Sequence, residues 1–214
     1  MKFKDRIDAG QTLAAALSPT VCGRDDLLVL ALPRGGVPVA AEVARILGAP
    51  LDLCFAHKIG APDNPEFAIG AIADTGPPCV DEQVTHTMRI PFSYLRKEAN
   101  HQQQELQRRA LLYRGSRPAA EIVGKYVILI DDGVATGMTA RAALQSIRLR
   151  IPARLIFATP VAAADSVARI ALDADDLVVL HSPDAFFAVG EFYEHFNQVT
   201  DDEVIALVKY SAQA

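Results

Sequence analysis

Residues 127–139 read Val-Ile-Leu-Ile-Asp-Asp-Gly-Val-Ala-Thr-Gly-Met-Thr, and the rest of the chain is best interpreted from this stretch outward. Its four leading apolar residues predict a strand buried on both faces, as in a parallel sheet covered by helices. Two acids, Asp131 and Asp132, end the strand. A short loop framed by Gly133 and Gly137 leads into an Ala-rich helix, and two threonines add hydroxyl groups. Backbone amides at such a helix N-terminus predict a phosphate site.

The acid pair indicates a ligand that carries hydroxyl groups as well as phosphate, because carboxylates repel phosphate. The 2- and 3-hydroxyls of a pentose phosphate can donate to carboxylates, each bond contributing about 1.5–3 kcal/mol. The pattern of apolar strand, acid pair and Gly-x-(Ala/Thr)-Thr-Gly-x-Thr resembles the motif of the type I phosphoribosyltransferases that binds 5-phosphoribosyl 1-pyrophosphate (PRPP). The resemblance implies that PRPP is bound by Gly133, Val134, Ala135, Thr136, Gly137, Met138 and Thr139, although Met138 stands where Gly or Ala is common.

A second strand–turn–helix pattern lies earlier in the chain. The apolar run 27–32 is followed by Pro-Arg-Gly-Gly-Val-Pro and then by an Ala/Val-rich helix. Open α/β sheets bind ligands at the carboxyl ends of their strands, so both loops can serve one site. Pro-Arg-Gly-Gly resembles the pyrophosphate loop of the same family, which implies pyrophosphate contacts from Arg34, Gly35 and Gly36. Taken alone, the loop is equally well explained as a tight turn with a solvated arginine.

A third apolar strand is predicted at residues 51–56, with His57 and Lys58 at its end. The family resemblance implies that Lys58 contacts pyrophosphate or the transition state, whereas a histidine in this position is more often structural. The run Lys-Ile-Gly-Ala-Pro-x-Asn-Pro-Glu-Phe-Ala-Ile-Gly-Ala resembles a branch of predicted phosphoribosyltransferases whose acceptor is unassigned. Asn64 and Glu66 then either line the acceptor side or cap turns.

Two segments fall outside the repeating pattern of strands and helices. In residues 81–117, an apolar stripe from Tyr94 to Tyr113 predicts a helix packed by one face. The alternative is the mobile arm of type I enzymes, which would bring three arginines to the leaving group: Arg108, Arg109 and Arg114. Residues 182–214 form the predicted C-terminal hood segment and helix. Its aromatic residues seal the core or stack on a flat acceptor, and the acceptor candidates are Val189, Phe192 and Tyr193.

Composition narrows the class of protein. With 214 residues, half of them hydrophobic, the chain suits a single domain with a sizeable core. The net charge of −5 and the pI near 5.5 argue against a general nucleic-acid or membrane binder. Three widely spaced cysteines form no metal or redox motif, and no signal peptide or membrane-spanning run is recognisable. A cytoplasmic protein is therefore expected.

These features predict an α/β fold: an open, mainly parallel sheet flanked by helices, with a small hood and a helical insertion, in a single domain of residues 1–214. The resemblance implies Mg²⁺-dependent transfer of the phosphoribosyl group from PRPP to an unidentified nitrogenous acceptor, with release of pyrophosphate. Asp131, Asp132 and Lys58 are the implied catalytic residues, and the two acids contact Mg²⁺ only through water, if at all. The implied partners are PRPP and a small acceptor, without nucleic acid or membrane, and a homodimer is compatible with this assignment.

Two other classes of protein fit parts of the pattern. A regulatory protein on the same fold would sense PRPP or a nucleotide without turnover. A receiver-like signalling domain would not bind PRPP, and it would carry its acid pair near its start. An ATPase needs a Gly-x-x-x-x-Gly-Lys-(Ser/Thr) loop, which is absent from the sequence, as is the Gly-x-Gly-x-x-Gly dinucleotide motif.

Overall fold

The computed structural model describes residues 2–74 and 77–211, apart from the side chains of Glu66, Tyr210 and Ser211. Glu66, an acceptor-side candidate, therefore lies outside the described side chains. The strands are β1 (Leu27–Ala31), β2 (Leu51–Leu53), β3 (Ala56–Ala61), β4 (Asn64–Ala73), β5 (Cys79–Val80), β6 (Tyr126–Ile130), β7 (Arg154–Val161) and β8 (Asp176–His181).

The helices alternate with these strands over much of the chain. They are α1 (Arg6–Val21), α2 (Gly36–Leu47), α3 (Glu82–Thr87), α4 (Phe92–Arg114), α5 (Met138–Arg148), α6 (Ala164–Ile170) and α7 (Asp201–Ser211), with a 3-10 turn at Val189–Phe192. No helix in the described ranges is both long and apolar enough to cross a membrane.

The main sheet has the order β2-β1-β6-β7-β8, and each neighbouring pair is parallel. The central strands β1 and β6 are apolar and largely buried because both faces of the sheet are covered there. Val29 and Ile128 point into the core formed with α1, α2 and α7, whereas Leu28 and Leu129 point into the core beneath α5. The predicted open, mainly parallel sheet flanked by helices is confirmed.

A second, antiparallel sheet of order β3-β4-β5 stands apart from the main one. The prediction of one strand across residues 51–56 is wrong, because β2 ends at Leu53 and β3 begins at Ala56 in the other sheet. Two structural features explain why this apolar run does not form one strand. Phe55 is buried in the core on the α1/α2 side, whereas the main-chain pairing of β2 stops where its partner β1 stops, at Ala31.

The helical insertion is confirmed as α3 and the long helix α4. Ala99, Leu106 and Tyr113 are the buried residues of α4, so one face of the helix packs against the core and the other is solvated. The end of α4 is held by an ion-pair network around buried Asp52. Its carboxylate accepts hydrogen bonds from Arg114 Nε at 3.0 Å, Arg117 Nη2 at 3.3 Å and the Ala120 amide at 2.8 Å. The Arg114 side chain therefore belongs to this buried ion-pair network and does not extend toward a leaving group.

Asp52→Ala is expected to destabilise the fold by about 3–5 kcal/mol, because it leaves the buried Arg114 guanidinium without its main counter-charge. Urea unfolding of the variant measures the change. The matched control is Asp26→Ala, which removes an aspartate paired with Arg24 at the surface. Exposed pairs contribute little, so equal losses in the two variants would contradict the assigned role of Asp52.

Candidate functional site

Two loops meet at one edge of the main sheet. β1 and β6 are neighbours with Ala31 opposite Ile130, so the segments that follow both strands start side by side. The Leu32 amide continues the pairing by donating to the Ile130 carbonyl at 2.9 Å. A cavity of about 430 Å³ opens there, and it is lined by Arg6, Pro33, Arg34, Gly35, Asp131, Asp132 and residues 196–199. The structure thus brings together the arginine loop and the acid pair.

Glycine is required in the first loop by close contact with the second. A Cβ added to Gly35 would lie 2.1 Å from Asp132 Oδ2, and one added to Gly36 would lie 2.8 Å from the Ile130 carbonyl oxygen. Neither position can accept a side chain unless the loop that carries Asp131 and Asp132 (the acid loop) moves. The peptide bond between Pro33 and Arg34 is cis. The two glycines therefore allow the loops to touch, a requirement separate from the pyrophosphate contacts that the family resemblance implies.

The two acids occupy different environments. Asp131 Oδ1 accepts a hydrogen bond from the Asp132 amide at 2.9 Å. Burial raises the pKa of Asp131 well above the ordinary aspartate range, and the neighbouring charge of Asp132 raises it further. Burial also raises the pKa of Asp132, but Arg6 opposes this shift through its charge and its hydrogen bonds. Proton binding by this pair is therefore displaced toward less acidic pH.

The predicted phosphate loop, residues 133–139, is fixed by hydrogen bonds between its backbone and neighbouring elements. The Val134 amide donates to the Val161 carbonyl at 2.9 Å, and the Ser166 hydroxyl donates to the Ala135 carbonyl. Gly137, at φ 77°, is the N-cap of α5 and has no side chain with which to cap the first-turn amides. These amides suit an anion for that reason. Met138 is buried, so only its backbone can face a ligand.

The remaining residues of this loop pack in different ways. A Cβ on Gly133 would lie 2.3 Å from a methyl group of Val189, and one on Gly137 would meet Ile170 at 3.2 Å. Thr136 is exposed and Thr139 is partly buried. The loop thus presents backbone and hydroxyl groups on its open side and glycine on its packed side.

Lys58 does not line the cavity. It lies on β3 of the second sheet, opposite Ala71, and its carbonyl oxygen is 2.9 Å from His57 Nδ1. The catalytic assignment of Lys58 stays a prediction.

The acceptor candidates in the hood lie behind the acid loop. Tyr193 is 3% exposed, and its hydroxyl donates to the Asp132 carbonyl at 2.6 Å. Its ring is 5.0 Å from that of Phe196 and 5.6 Å from that of Phe3. Phe192 packs beside His181 and Phe186. Tyr193 supports the acids here, and acceptor contact by Val189, Phe192 and Tyr193 stays a prediction.

Arg34 points toward the C-terminal helix. Its Nη1 lies 3.4 Å from Asp201 Oδ1, and the same oxygen accepts a hydrogen bond from the Tyr113 hydroxyl at 2.6 Å. Burial and the bond to Asp201 raise the pKa of Tyr113 to about 12. The pair is open to solvent, with the Arg34 side chain 35% exposed and that of Asp201 48% exposed. An incoming anion can therefore compete for Arg34.

Sequence reasoning missed Arg6, Phe196 and Asn197. Arg6 is the first residue of α1 and reaches into the cavity, where it contacts Asp132 at 2.8 Å. A weak signal was present, because a cation in the first turn opposes the helix dipole and so suggests a role elsewhere. The contacts of Phe196 and Asn197 depend on long-range packing that no local pattern encodes.

The acid pair fits Mg²⁺ bound largely by ligand and water. The residues that the structure describes contain no group of three or more His, Cys, Asp or Glu side chains able to hold a metal ion. Mg²⁺ commonly keeps several waters and uses one or two carboxylates together with substrate phosphates. Asp131, at the cavity wall, suits that mode.

Comparison with known proteins identifies the family. Residues 3–195 match the model of the phosphoribosyl transferase domain. The chain belongs to the phosphoribosyl transferase family. It is similar to proteins from two strains of Mycobacterium tuberculosis (CDC 1551 / Oshkosh and ATCC 25618 / H37Rv), each named "putative phosphoribosyl transferase", with 42% identity over 96% of this chain. The match covers 46% of each relative, so the chain spans about half the length of the curated relatives it matches.

Two solved structures share the fold of this chain. TT1426 from Thermus thermophilus is 44% identical and has a TM-score of 0.83, over 97% of this chain and 98% of that one. The AQ2163 protein from Aquifex aeolicus, at 12% identity and a TM-score of 0.50, covers 82% of this chain and 73% of its own and shows similarity of fold alone. The type I phosphoribosyltransferase fold predicted from the sequence is confirmed.

Asp131→Asn is expected to raise the thermal unfolding midpoint at neutral pH. The folded-state pKa of Asp131 lies above the unfolded value of about 3.9, so ionised Asp131 opposes folding once the pH exceeds the folded-state pKa. Asparagine keeps an oxygen for the Asp132 amide and carries no charge. The difference from the unaltered protein should shrink as the pH falls toward 4. A lower midpoint at neutral pH would contradict this, and Asp25→Asn, at the surface, is the control.

Proposed function

We propose that this domain binds PRPP in the cavity between the two loops and transfers its 5-phosphoribosyl group to a nitrogenous acceptor, releasing pyrophosphate. The observation that supports this most is the contact of the Arg34-Gly35-Gly36 loop with the acid pair at adjacent strand ends. PRPP carries phosphate groups on both sides of a ribose, and the chain offers one candidate anion site in the Arg34 loop and a second in residues 133–139, which directly follow the two carboxylates. Membership of the phosphoribosyl transferase family supports the same assignment.

Each part of the ligand then has its own protein contact. The amides and hydroxyls of residues 133–139 receive the 5-phosphate at the start of α5. Asp131 and Asp132 accept hydrogen bonds from the ribose hydroxyls or from water on Mg²⁺, which supplies charge neutralisation at the pyrophosphate when bound. Arg34 receives the pyrophosphate, with the backbone of Gly35 and Gly36 close by. Lys58 remains a proposed further contact.

The reaction breaks the bond between C1 of the ribose and the pyrophosphate oxygen, and the electron pair leaves on pyrophosphate. A nitrogen lone pair of the acceptor forms the new bond to C1, and the proton on that nitrogen passes to a base or to solvent. Positive charge develops on the sugar and negative charge on the leaving group. A positioned donor facing developing charge contributes about 2.7–4 kcal/mol, and we assign this role at the leaving group to Arg34.

The double variant Asp131→Asn with Asp132→Asn is expected to weaken Mg²⁺-dependent PRPP binding roughly 100-fold or more, because it removes two charged acceptors. Titration calorimetry with PRPP, with and without Mg²⁺, measures the loss. Asp25→Asn with Asp26→Asn is the matched control, since it removes an adjacent acid pair at the opposite end of β1. Equal PRPP affinity in the acid-pair variant and the unaltered protein would contradict the proposal.

Turnover is tested by screening bases and small amines for pyrophosphate release from PRPP. A compound that accelerates release identifies the acceptor and supports the transferase. PRPP binding without release by any compound would favour the sensing protein on the same fold. The absence of PRPP binding would exclude both. The cytoplasmic location, the homodimer and the single-domain boundary of residues 1–214 stay predictions.

A further inference from the structure

Arg6 joins three separate parts of the structure at the cavity. Its Nε and Nη2 each lie 2.8 Å from the same oxygen, Asp132 Oδ2, while Nη1 donates to the Asn197 carbonyl at 2.8 Å. Its guanidinium carbon lies 3.9 Å from the centre of the Phe196 ring. The side chain is 11% exposed. One buried cation therefore connects helix α1 with the acid loop and with residues 196–197.

Asp132 is held from the other side as well. Its carbonyl accepts the Tyr193 hydroxyl bond at 2.6 Å, and Gly35 packs directly against its carboxylate. Asp132 thus has a cationic partner, a backbone anchor and a close backbone neighbour. Moving its carboxylate toward a ligand would break the bonds to Arg6.

Asp131 has a different set of neighbours. One of its oxygens accepts the Asp132 amide bond, and it lines the cavity. No Lys, Arg or His of residues 2–74 and 77–211 forms an ion pair with Asp131. An ionised carboxylate with few hydrogen-bond partners is stabilised most by new hydrogen-bond donors, such as ribose hydroxyls or metal-bound water.

We propose that Arg6 is a positioning residue that makes the two acids unequal: it fixes Asp132 as part of the cavity wall and leaves Asp131 as the main acceptor for the ribose hydroxyls. The ligand in this inference rests on the proposed function. Arg6 also places its positive charge directly beside the Asp132 carboxylate. The contacts of this chain give the two acids different roles, whereas the sequence motif does not distinguish between them.

The first experiment compares variants by PRPP calorimetry at neutral pH. Asp131→Asn should weaken binding by roughly 10- to 100-fold, the range expected for lost hydrogen bonds to a charged acceptor, and Asp132→Asn by clearly less. In the Arg6→Gln background the two aspartate substitutions should cost more nearly equal affinity, and Arg6→Lys should restore part of the difference. Equal losses in the two single aspartate variants, or a difference between them that Arg6→Gln leaves in place, would overturn the proposal.

The second experiment needs no PRPP. The carboxyl-carbon chemical shift of Asp132, measured by NMR at one pH in ¹³C-labelled protein, should differ between Arg6→Gln and the unaltered protein. Arg24→Gln is the matched control, because Arg24 also pairs with an aspartate and lies over a tyrosine ring, but at the surface. If unaltered protein failed to bind PRPP, the proposed function would be contradicted. The pairing of Arg6 with Asp132 would still be decided by this chemical shift, and an unmoved Asp132 signal would refute it.

Discussion

The site depends on the parallel pairing of β1 with β6. Because Ala31 lies opposite Ile130, the chain leaves both strands at the same level and the two following loops come into contact. That contact allows no side chain at Gly35, where an added Cβ would lie 2.1 Å from a carboxylate oxygen. The register of β1 with β6 and the absence of a Cβ at Gly35 thus bring the loop that carries Arg34 into contact with the acid loop. The remaining strands and helices keep this pair buried and in register.

Charge placed in the cavity opposes folding, and the structure offsets this with contacts from several elements. Burial raises the pKa of both acids, so their ionised forms are less stable here than in water. Arg6 compensates Asp132, and the packed rings of Phe3, Tyr193 and Phe196 support the loop that carries Asp132. Retaining a poorly compensated Asp131 is understandable if ligand donors complete its environment.

Much of the fold was predictable because local patterns carry it. The continuous apolar runs at β1 and β6 indicate buried parallel strands, and the stripe from Tyr94 to Tyr113 indicates the packed face of α4. The division of residues 51–61 between two sheets was not predictable, since β2 ends where its partner strand ends. Arg6 was missed for a similar reason: its partners Asp132 and Asn197 lie 126 and 191 residues away in the sequence.

The proposed function requires that the two loops form two anion sites on either side of one ribose site. Competition calorimetry with the two halves of the donor, ribose 5-phosphate and Mg²⁺-pyrophosphate, tests this requirement. We expect that each half binds, that both bind together, and that PRPP displaces both and binds more tightly than either. Mutual exclusion of ribose 5-phosphate and pyrophosphate would show a single anion site and contradict the proposed function.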